Sequence, residues 1–244
     1  MKAIKGWRLT ALVVAMTMLL SGCMYPRQNL VQNQGTVREA VRNMQSVIGE
    51  YQERTGLLPI LNSDAQTPTY EKYRMDMKRL QELGYIGDIP SIAFEKGGNY
   101  YFMIINETTE PTVKLMDLVL FQRVNEIERA IREQTDIHGA QLPLGEQAYP
   151  GLYRIDYSKL TIPEPQLQSS FSGSYITAMI DEQGKVYADY GMDIARLIRE
   201  GGLSPEPDED LRPLLTENSD YVPVKGPVYH WVDEEVQAMA GLQP

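Results

Sequence analysis

Two stretches of this sequence share a pattern that decides the fold: residues 73–80 read Tyr-Arg-Met-Asp-Met-Lys-Arg-Leu, and residues 153–160 read Tyr-Arg-Ile-Asp-Tyr-Ser-Lys-Leu. Further matches flank this pair in the same order. They are Leu-Pro at 58–59 and 142–143, Ile-Pro at 89–90 and 162–163, and Met-Asp at 116–117 and 192–193. Short matches between two stretches often arise by chance, but several matches in the same order rarely do. We therefore interpret the pattern as a tandem duplication.

Each predicted unit contains a helix, a loop and a β-hairpin, so the sequence predicts an α+β fold. The units cover about residues 37–116 and 120–191 within a body of residues 35–202. Apolar residues three and four positions apart predict a buried helix face at the start of each unit. These residues are Val37, Ala40, Val41, Met44, Val47, Ile48 and Tyr51, then Leu120, Val124, Ile127, Ala130 and Ile131. Apolar runs at 100–105 and 175–180 predict the first hairpin strands.

The segments between these elements complete the predicted units. Residues 70–83 predict a second helix in the first unit, ended by Gly84, and the second unit has a shorter counterpart. Asp117 and Asp193 stand where a following helix needs an N-cap. The helix that closes the first unit therefore also opens the second. A shared central helix favours one continuous body.

The N-terminus has the layout of an export signal. Lys2, Lys5 and Arg8 form a basic start, and residues 9–20 form an apolar run of 12 residues, interrupted only by two threonines. A membrane-spanning helix needs about 20 apolar residues, so this run is too short to be a lasting span. A basic start followed by a short apolar segment is typical of a secretory signal peptide, which we assign to residues 1–22.

The end of this segment, Leu20-Ser21-Gly22-Cys23, resembles the lipobox of bacterial lipoproteins. The resemblance implies that the Cys23 thiol carries a diacylglyceryl thioether and that a signal peptidase cuts before it. Two acyl chains provide a stable anchor, whereas one chain binds reversibly. We therefore expect membrane lipid as the partner of Cys23, residues 23–34 as a polar tether, and a location on the extracytoplasmic face of the cell membrane.

The C-terminal segment, residues 203–244, differs in composition from the body. It contains nine acidic and two basic residues and six of the 15 prolines. We interpret it as an acidic Pro-rich tail with a solvated linker at 205–210. Residues 221–232 are apolar enough to dock on the body, and residues 233–240 predict a short terminal helix.

Several motifs together point to a family. They are the lipobox, Gly-Leu-Leu-Pro-Ile at 56–60, Ile-Pro at 89–90, Gly-Gly-Asn-Tyr at 97–100 and Val-Lys-Leu-Met-Asp at 113–117. With them the chain resembles the YphF-type lipoproteins of spore-forming Gram-positive bacteria over most of residues 20–200, and the acidic tail lies outside the resemblance. Members are loosely labelled as transporter binding proteins. The resemblance implies no catalytic residues.

Composition argues against several classes of function. A net charge of −10 disfavours nucleic acid, since phosphate binding depends on Lys and Arg. A single cysteine excludes a disulfide framework and multi-cysteine zinc sites. The sequence lacks the Gly-x-Ser-x-Gly, Ser-x-x-Lys, phosphate-loop and His-Glu-x-x-His motifs. We therefore expect no enzymatic activity, metal or cofactor.

The repeated Tyr-Arg-x-Asp motif supplies the candidate polar residues Arg74, Asp76, Arg154 and Asp156. One interpretation is a pseudo-symmetric anion site in which the two arginines bind a ligand, since Arg binds carboxylates as a fork. The other is local: each arginine caps a carbonyl or pairs with the aspartate two residues later. The two histidines, His138 near a helix end and His230 beside Trp231, are better explained by capping and packing than by catalysis.

Three functional interpretations stay open. The leading one is a non-enzymatic, lipid-anchored protein that binds an envelope protein or a cell-wall component. The second is the small solute-binding component of a transporter, with a ligand cleft between the two units. The third is a wall hydrolase that uses paired carboxylates, for which a raised carboxyl pKa in a groove would be evidence.

Overall fold

The chain folds into helices and antiparallel strands over residues 29–241 apart from 138 and 140, the part that this computed structural model describes. The helices are α1 (Asn29–Thr55), α2 (Thr69–Lys72), α3 (Met77–Glu82), α4 (Leu118–Arg132), α5 (Gly191–Gly201) and α6 (Arg212–Glu217). The strands are β1 (Tyr100–Ile105), β2 (Thr112–Asp117), β3 (Leu144–Tyr149), β4 (Leu152–Ile155), β5 (Leu167–Gln168), β6 (Tyr175–Ile176), β7 (Ala178–Asp181), β8 (Val186–Ala188), β9 (Val228–Val232) and β10 (Glu235–Met239).

The strands form a four-stranded antiparallel sheet in the order β3-β4-β7-β8 and the separate pairs β1-β2, β5-β6 and β9-β10. Single-turn helices at Phe94–Lys96, Glu133–Ile137 and Tyr157–Lys159 connect some of these elements. Helices and antiparallel strands thus occupy separate stretches of the chain, and the α+β prediction is confirmed.

Helix α1 has the buried face that its apolar spacing predicts. Its buried side chains are Val37, Val41, Met44, Ile48 and Tyr51, and Ala40 and Val47 pack against them. The helix ends at Thr55 because Gly56 takes a φ of +67° and its N–H bonds back to the Gln52 carbonyl at 2.8 Å. Since α1 begins at Asn29, the last part of the predicted tether is helical.

The single helix predicted over residues 70–83 is wrong, because its middle is extended. The chain between α2 and α3 pairs with β1 through the Met75 N–H, which donates to the Phe102 carbonyl at 2.8 Å. Asp76 then caps α3 by accepting the Arg79 N–H at 3.0 Å. Two short helices with a bridge to β1 therefore replace one helix.

The β1–β2 hairpin separates two apolar cores. Alternate residues of a strand point to opposite faces. Phe102 and Ile104 join a cluster that we call the α1 core, which also contains Val41, Ile48, Leu80 and Leu115. Met103 and Ile105 join the central core, which also contains Val124, Ile127, Ile180 and Ile194. The hairpin is therefore buried on both faces.

Helix α4 contains the apolar face predicted over residues 120–131. Asp117 caps it by accepting the N–H groups of Val119 at 2.9 Å and Leu120 at 3.1 Å. The predicted apolar face is buried: Leu120, Val124, Ile127 and Ile131 lie in the central core, and Ala130 is buried as well. The N-cap and the buried face are both confirmed.

The second predicted hairpin is present, but the helix after it begins earlier than expected. β7 and β8 pair around the turn at Asp181, and the run at 175–180 divides into β6 and β7. Helix α5 begins at Gly191, so the prediction that Asp193 is an N-cap is wrong. Asp193 is instead buried in the first turn, where it accepts a 2.6 Å hydrogen bond from the Ser169 hydroxyl.

Much of the C-terminal segment is folded against the body. The Val222 N–H donates to the Leu115 carbonyl at 2.9 Å, and Val224 and Tyr229 are buried in the central core. Residues 221–232, whose composition allows docking on the body, thus contact it. The predicted helix at 233–240 is wrong, because β10 pairs with β9 in a hairpin. The acidic stretch 205–210 lacks regular secondary structure.

Among the described residues, none of the helices combines the length and apolar character that crossing a membrane requires.

Candidate functional site

The predicted lipidation residue, Cys23, lies outside the residues that the structure describes, as do the rest of the lipobox and His138. The repeated Tyr-Arg-x-Asp motif lies within them. Its two copies fold differently: the first forms the bridge between α2 and α3, and the second forms β4 and the turn after it. The candidate site can therefore be judged from the surroundings of each arginine.

Arg74 lies over an aromatic ring in a groove. Its residue pairs with Met103 of β1, and its guanidinium carbon is 4.4 Å from the centre of the Tyr101 ring. Alternation along β1 places Tyr101 and Met103 on the same side of the hairpin. The bridge to β1 therefore holds the Arg74 side chain against the aromatic wall.

The second copy of the motif presents its arginine differently. Arg154 is exposed on β4, opposite Met179 of β7. Asp156 accepts hydrogen bonds from the Ser158 hydroxyl at 2.5 Å and from Lys159, with which it forms a 3.2 Å ion pair. The hydrogen bond from Ser158 is the main reason why the pKa of Asp156 is lowered.

Within the described part of the chain, neither arginine forms an ion pair with the aspartate two residues later. The predicted local Arg–Asp pairing is therefore wrong. The aspartates have a different local role: Asp76 and Asp156 each cap the turn that follows. No contact of the described residues joins Arg74 to Arg154, so we build the candidate site around Arg74 alone.

The groove around Arg74, which we call the Arg74 groove, has a volume of about 400 Å³. Its lining combines polar loop residues, charged residues and an apolar wall. The lining residues are Leu61, Asn62, Ser63, Thr67, Glu71, Lys72, Arg74, Tyr101, Met103, Met116 and Phe121. A volume of roughly 300–1,000 Å³ is usual for small-ligand pockets. The groove is therefore large enough for a small ligand or for one end of a larger one.

Positive charge predominates in the Arg74 groove. Lys72 and Arg74 both line it, and the Lys225 ammonium lies 5.0 Å from the centre of the Phe121 ring. Among the described lining residues the one carboxylate is that of Glu71, which accepts the main-chain N–H of Lys225 at 3.1 Å. Three cations beside one engaged carboxylate favour an anionic ligand, although the whole chain carries a net charge of −10.

The Arg74 guanidinium keeps its hydrogen-bond donors free. Among the described residues, no side chain or carbonyl accepts a hydrogen bond from it. Stacking on an aromatic ring fixes the plane of a guanidinium, and its N–H groups can then bind a carboxylate or phosphate as a fork. The arrangement therefore resembles a preorganised anion receptor.

The hydrolase interpretation asks for a carboxyl group with a raised pKa in a groove. Burial raises the pKa of Asp189, against the opposing effect of its hydrogen bonds. Its carboxylate is engaged by the Gly191 N–H at 2.9 Å and by the hydroxyls of Tyr229 at 3.0 Å and Tyr149 at 3.4 Å. Because three donors hold it within the fold, we interpret Asp189 as a structural residue.

No group of three or more His, Cys, Asp or Glu side chains in the described ranges is placed to hold a metal ion.

The comparison with protein families matches the first predicted unit. Residues 37–117 match the YphF family N-terminal domain. The YphF match runs from within α1 to Asp117, the cap of α4, and so includes every lining residue of the Arg74 groove except Phe121. It supports the resemblance to YphF-type proteins that the motifs indicate. No curated protein and no solved structure gives a significant match to this chain.

Sequence reasoning identified Arg74 but missed the residues that surround it. Tyr101 could have been placed from strand alternation, since it shares a face of β1 with Met103. Glu71 and Lys225 meet across more than 150 residues of sequence, and nothing local to either residue indicates that contact.

Proposed function

We propose that this chain is a non-enzymatic, lipid-anchored protein of the extracytoplasmic membrane face that binds an anionic cell-envelope component in the Arg74 groove. The sequence supports the anchor through the signal-like N-terminus and Cys23. The surroundings of Arg74 support the binding role. Cys23 holds the protein at the membrane, and the groove holds the ligand.

The single observation that carries the binding role is the state of Arg74. Its guanidinium carbon lies over the Tyr101 ring, 4.4 Å from the ring centre, its donors are free, and two further cations are nearby. A desolvated charge-assisted hydrogen bond contributes about 1.5–3 kcal/mol, more than a neutral one. The wall of Met103, Met116 and Phe121 adds apolar contact for the body of the ligand.

The ligand class follows from the two parts of the groove, the cations around Arg74 and the apolar wall. A carboxylate or phosphate binds Arg74, and an adjoining apolar or sugar portion packs on the wall. Cell-wall peptides and glycerol phosphate polymers both carry such anionic groups. Because these molecules are anchored in the envelope, a membrane-anchored receptor meets them at high local concentration.

The experiment compares two arginines from the same motif. Binding of a muropeptide and of a glycerol phosphate oligomer to the full chain is measured by calorimetry for wild type, Arg74→Leu and Arg154→Leu. Arg74→Leu is expected to weaken binding at least about tenfold, through the loss of a charge-assisted contact. Arg154→Leu removes an exposed arginine outside the groove and should bind like wild type. An equal loss in both variants, or no binding of either probe to wild type, contradicts the proposal.

One observation favours a second candidate, the solute-binding component of a transporter. The lining of the Arg74 groove includes Phe121 from the second predicted unit as well as residues of the first, as expected of a ligand cleft between units. This candidate predicts that small anionic solutes, rather than wall polymers, saturate the groove. The same calorimetric series with free amino acids and short dicarboxylates distinguishes the two.

The anchor has its own test. Cys23→Ser removes the only thiol of the chain. Metabolic labelling with a fatty acid should mark the wild-type protein and not the variant, and the variant should leave the membrane fraction. Persistent labelling of Cys23→Ser shows that another residue carries the lipid.

We also propose that the body arose by tandem duplication, and matching hydrogen bonds support this. The Asp76 N–H donates to the Pro59 carbonyl at 2.8 Å, and the Asp156 N–H donates to the Pro143 carbonyl at the same distance. In each unit this aspartate caps the next turn, and a hairpin and a helix follow. Superposition of residues 37–116 on 120–191 tests the idea, and a different order of helix, loop and hairpin contradicts it.

A further inference from the structure

A second groove lies between helix α5 and the β9–β10 hairpin, and we call it the hairpin groove. Its volume is about 680 Å³. Its apolar lining is formed by Tyr149, Met192, Ile198, Leu203, Trp231 and Val236. Large apolar side chains gathered in one exposed depression mark interaction sites more often than scattered ones do.

Two of the groove residues are unusually exposed for their type. Met192 is 78% exposed and Leu203 is 43% exposed, although both are large and apolar. Trp231 lies beside them and packs with its other side on the central core. An aromatic anchor beside flexible apolar side chains is the usual composition of a protein-binding hot spot.

The charges around the hairpin groove indicate what binds there. Glu234 and Glu235 line it, and Asp233 precedes them at the tip of the hairpin. Of the lining residues in the described part of the chain, Arg199 on the last turn of α5 is the one cation. The tip of the hairpin is therefore acidic, which favours a ligand that places a basic group there and disfavours an anionic membrane surface.

We propose that the hairpin groove binds a peptide segment of a partner protein that carries apolar side chains next to lysine or arginine. The apolar side chains pack on Met192, Leu203 and Trp231, and the basic group meets Glu234 and Glu235. This site is separate from the Arg74 groove, because the linings of the two grooves have no residue in common. The two sites take ligands of opposite charge.

The position of tryptophan in the sequence provides a direct probe. The chain has two tryptophans, Trp7 and Trp231. Trp7 lies in the predicted signal peptide and is lost on cleavage before Cys23. With Trp7→Phe, Trp231 is the only tryptophan of the uncleaved full chain as well, and its emission reports on the hairpin groove. The probe is a ten-residue peptide of alternating leucine and lysine, and the matched peptide has glutamate in place of lysine.

The lysine peptide should shift the Trp231 emission to shorter wavelength in a saturable manner, and the glutamate peptide should bind at least about tenfold more weakly. Met192→Lys should weaken binding of the lysine peptide about tenfold or more, since it removes an apolar contact and adds a repelling charge. Tyr175→Lys is the matched control, because Tyr175 is 69% exposed and lies outside the groove.

Several results would overturn the proposal: equal binding of both peptides, no saturable binding of the lysine peptide, or wild-type affinity in Met192→Lys. An equal shift with phosphatidylglycerol vesicles would assign the groove to a membrane surface instead. Arg74→Leu should leave the Trp231 response unchanged, so a failure of this proposal is distinguishable from a failure of the proposed anion site.

Discussion

Asp189 lies where the C-terminal segment meets the body, and two physical effects compete at its carboxyl group. Burial disfavours the charged form and raises the pKa, while hydrogen bonds from Gly191, Tyr229 and Tyr149 favour the carboxylate. Burial is the larger effect. The pKa of Asp189 is therefore higher in the folded chain than in the unfolded one, where it is about 4.

This residue predicts a pH dependence of stability. A raised pKa in the folded state gives a stabilising contribution that is complete below about pH 4 and is lost as the pH rises through the folded-state pKa. Asp189→Asn keeps the size of the side chain but cannot ionise. The stability of wild type relative to this variant should therefore fall as the pH rises from about 4 through the folded-state pKa of Asp189. Urea unfolding across that range measures the difference, and a constant difference contradicts the prediction.

The tip of the β9–β10 hairpin contains two residues in an unfavourable backbone conformation. Asp233 and Glu234 have φ values of 51° and 64°, and they form a two-residue loop between the paired residues Val232 and Glu235. Such a loop requires positive φ at both positions, for which Asn-Gly is the preferred sequence. The chain therefore keeps acidic residues where others would fit better.

Replacing this loop by Asn-Gly should separate stability from binding. The double change Asp233→Asn with Glu234→Gly should stabilise the fold by about 1 kcal/mol, because it removes left-handed strain. It should also weaken binding of the lysine peptide, because a carboxylate of the hairpin groove is lost. Urea unfolding and the Trp231 titration measure the two effects. A loss of stability would show that the acidic side chains support the hairpin itself.

At the scale of elements, local sequence patterns correctly predicted the features that depend on neighbouring residues, such as helix faces and caps. The faces of α1 and α4, the N-cap Asp117 and the strand Tyr100–Ile105 agree with their apolar spacing and capping chemistry. A helix was predicted at 233–240 because Glu, Gln, Ala and Met favour helices locally, and this prediction was wrong. Pairing with β9 and burial of Ala238 in the central core outweigh that propensity.

The candidate sites also combine features that the sequence pattern predicts with features that it does not predict. Repetition of the Tyr-Arg-x-Asp motif made Arg74, Asp76, Arg154 and Asp156 equal candidates, and only the different surroundings of the two copies separate Arg74 from Arg154. The hairpin groove joins α5 to a hairpin that the sequence did not predict. A site built from segments distant in sequence depends on the tertiary fold, which spacing along the chain does not encode.

The C-terminal segment yields a prediction for an element. Its large buried apolar residues are Leu211, Leu215, Val222, Val224, Val228 and Tyr229, and the Tyr229 hydroxyl accepts the Tyr190 N–H at 2.6 Å. Removing residues 203–244 exposes their partners, at a cost of about 1.5–3 kcal/mol for each large buried side chain. The truncated chain should therefore not melt cooperatively. Circular dichroism melting of both chains tests this, and a cooperative transition in the truncated chain would make the segment a dispensable tail.

At the scale of the whole molecule, the burial of tyrosine side chains shows how tightly the chain is packed. Phe occurs only four times and Tyr 15 times, so tyrosine carries much of the aromatic packing. Within the described ranges burial raises the pKa of eight tyrosines, and that of Tyr70 reaches about 12. The others are Tyr100, Tyr149, Tyr157, Tyr187, Tyr190, Tyr221 and Tyr229.

An alkaline titration should reveal this packing. The stabilising contribution of these tyrosines is complete below about pH 10 and is lost as the pH rises through their raised pKa values. At pH 11 the folded chain should show less than half of the tyrosinate absorbance at 295 nm that the chain shows in urea. The remaining tyrosinate absorbance should appear at higher pH, together with the loss of ellipticity that marks unfolding. Full ionisation at pH 11 with the ellipticity intact contradicts the prediction.

The position of the β1–β2 hairpin between the α1 core and the central core has a consequence for cooperativity. Opening either core uncovers one face of the same hairpin, so neither core can melt and leave the other intact. We therefore expect the amide hydrogens that pair β1 with β2 to exchange with solvent only through unfolding of residues 37–244 as one unit. For the same reason, the segment that matches the YphF N-terminal domain would expose Met103, Ile105 and Met116 if it were expressed alone.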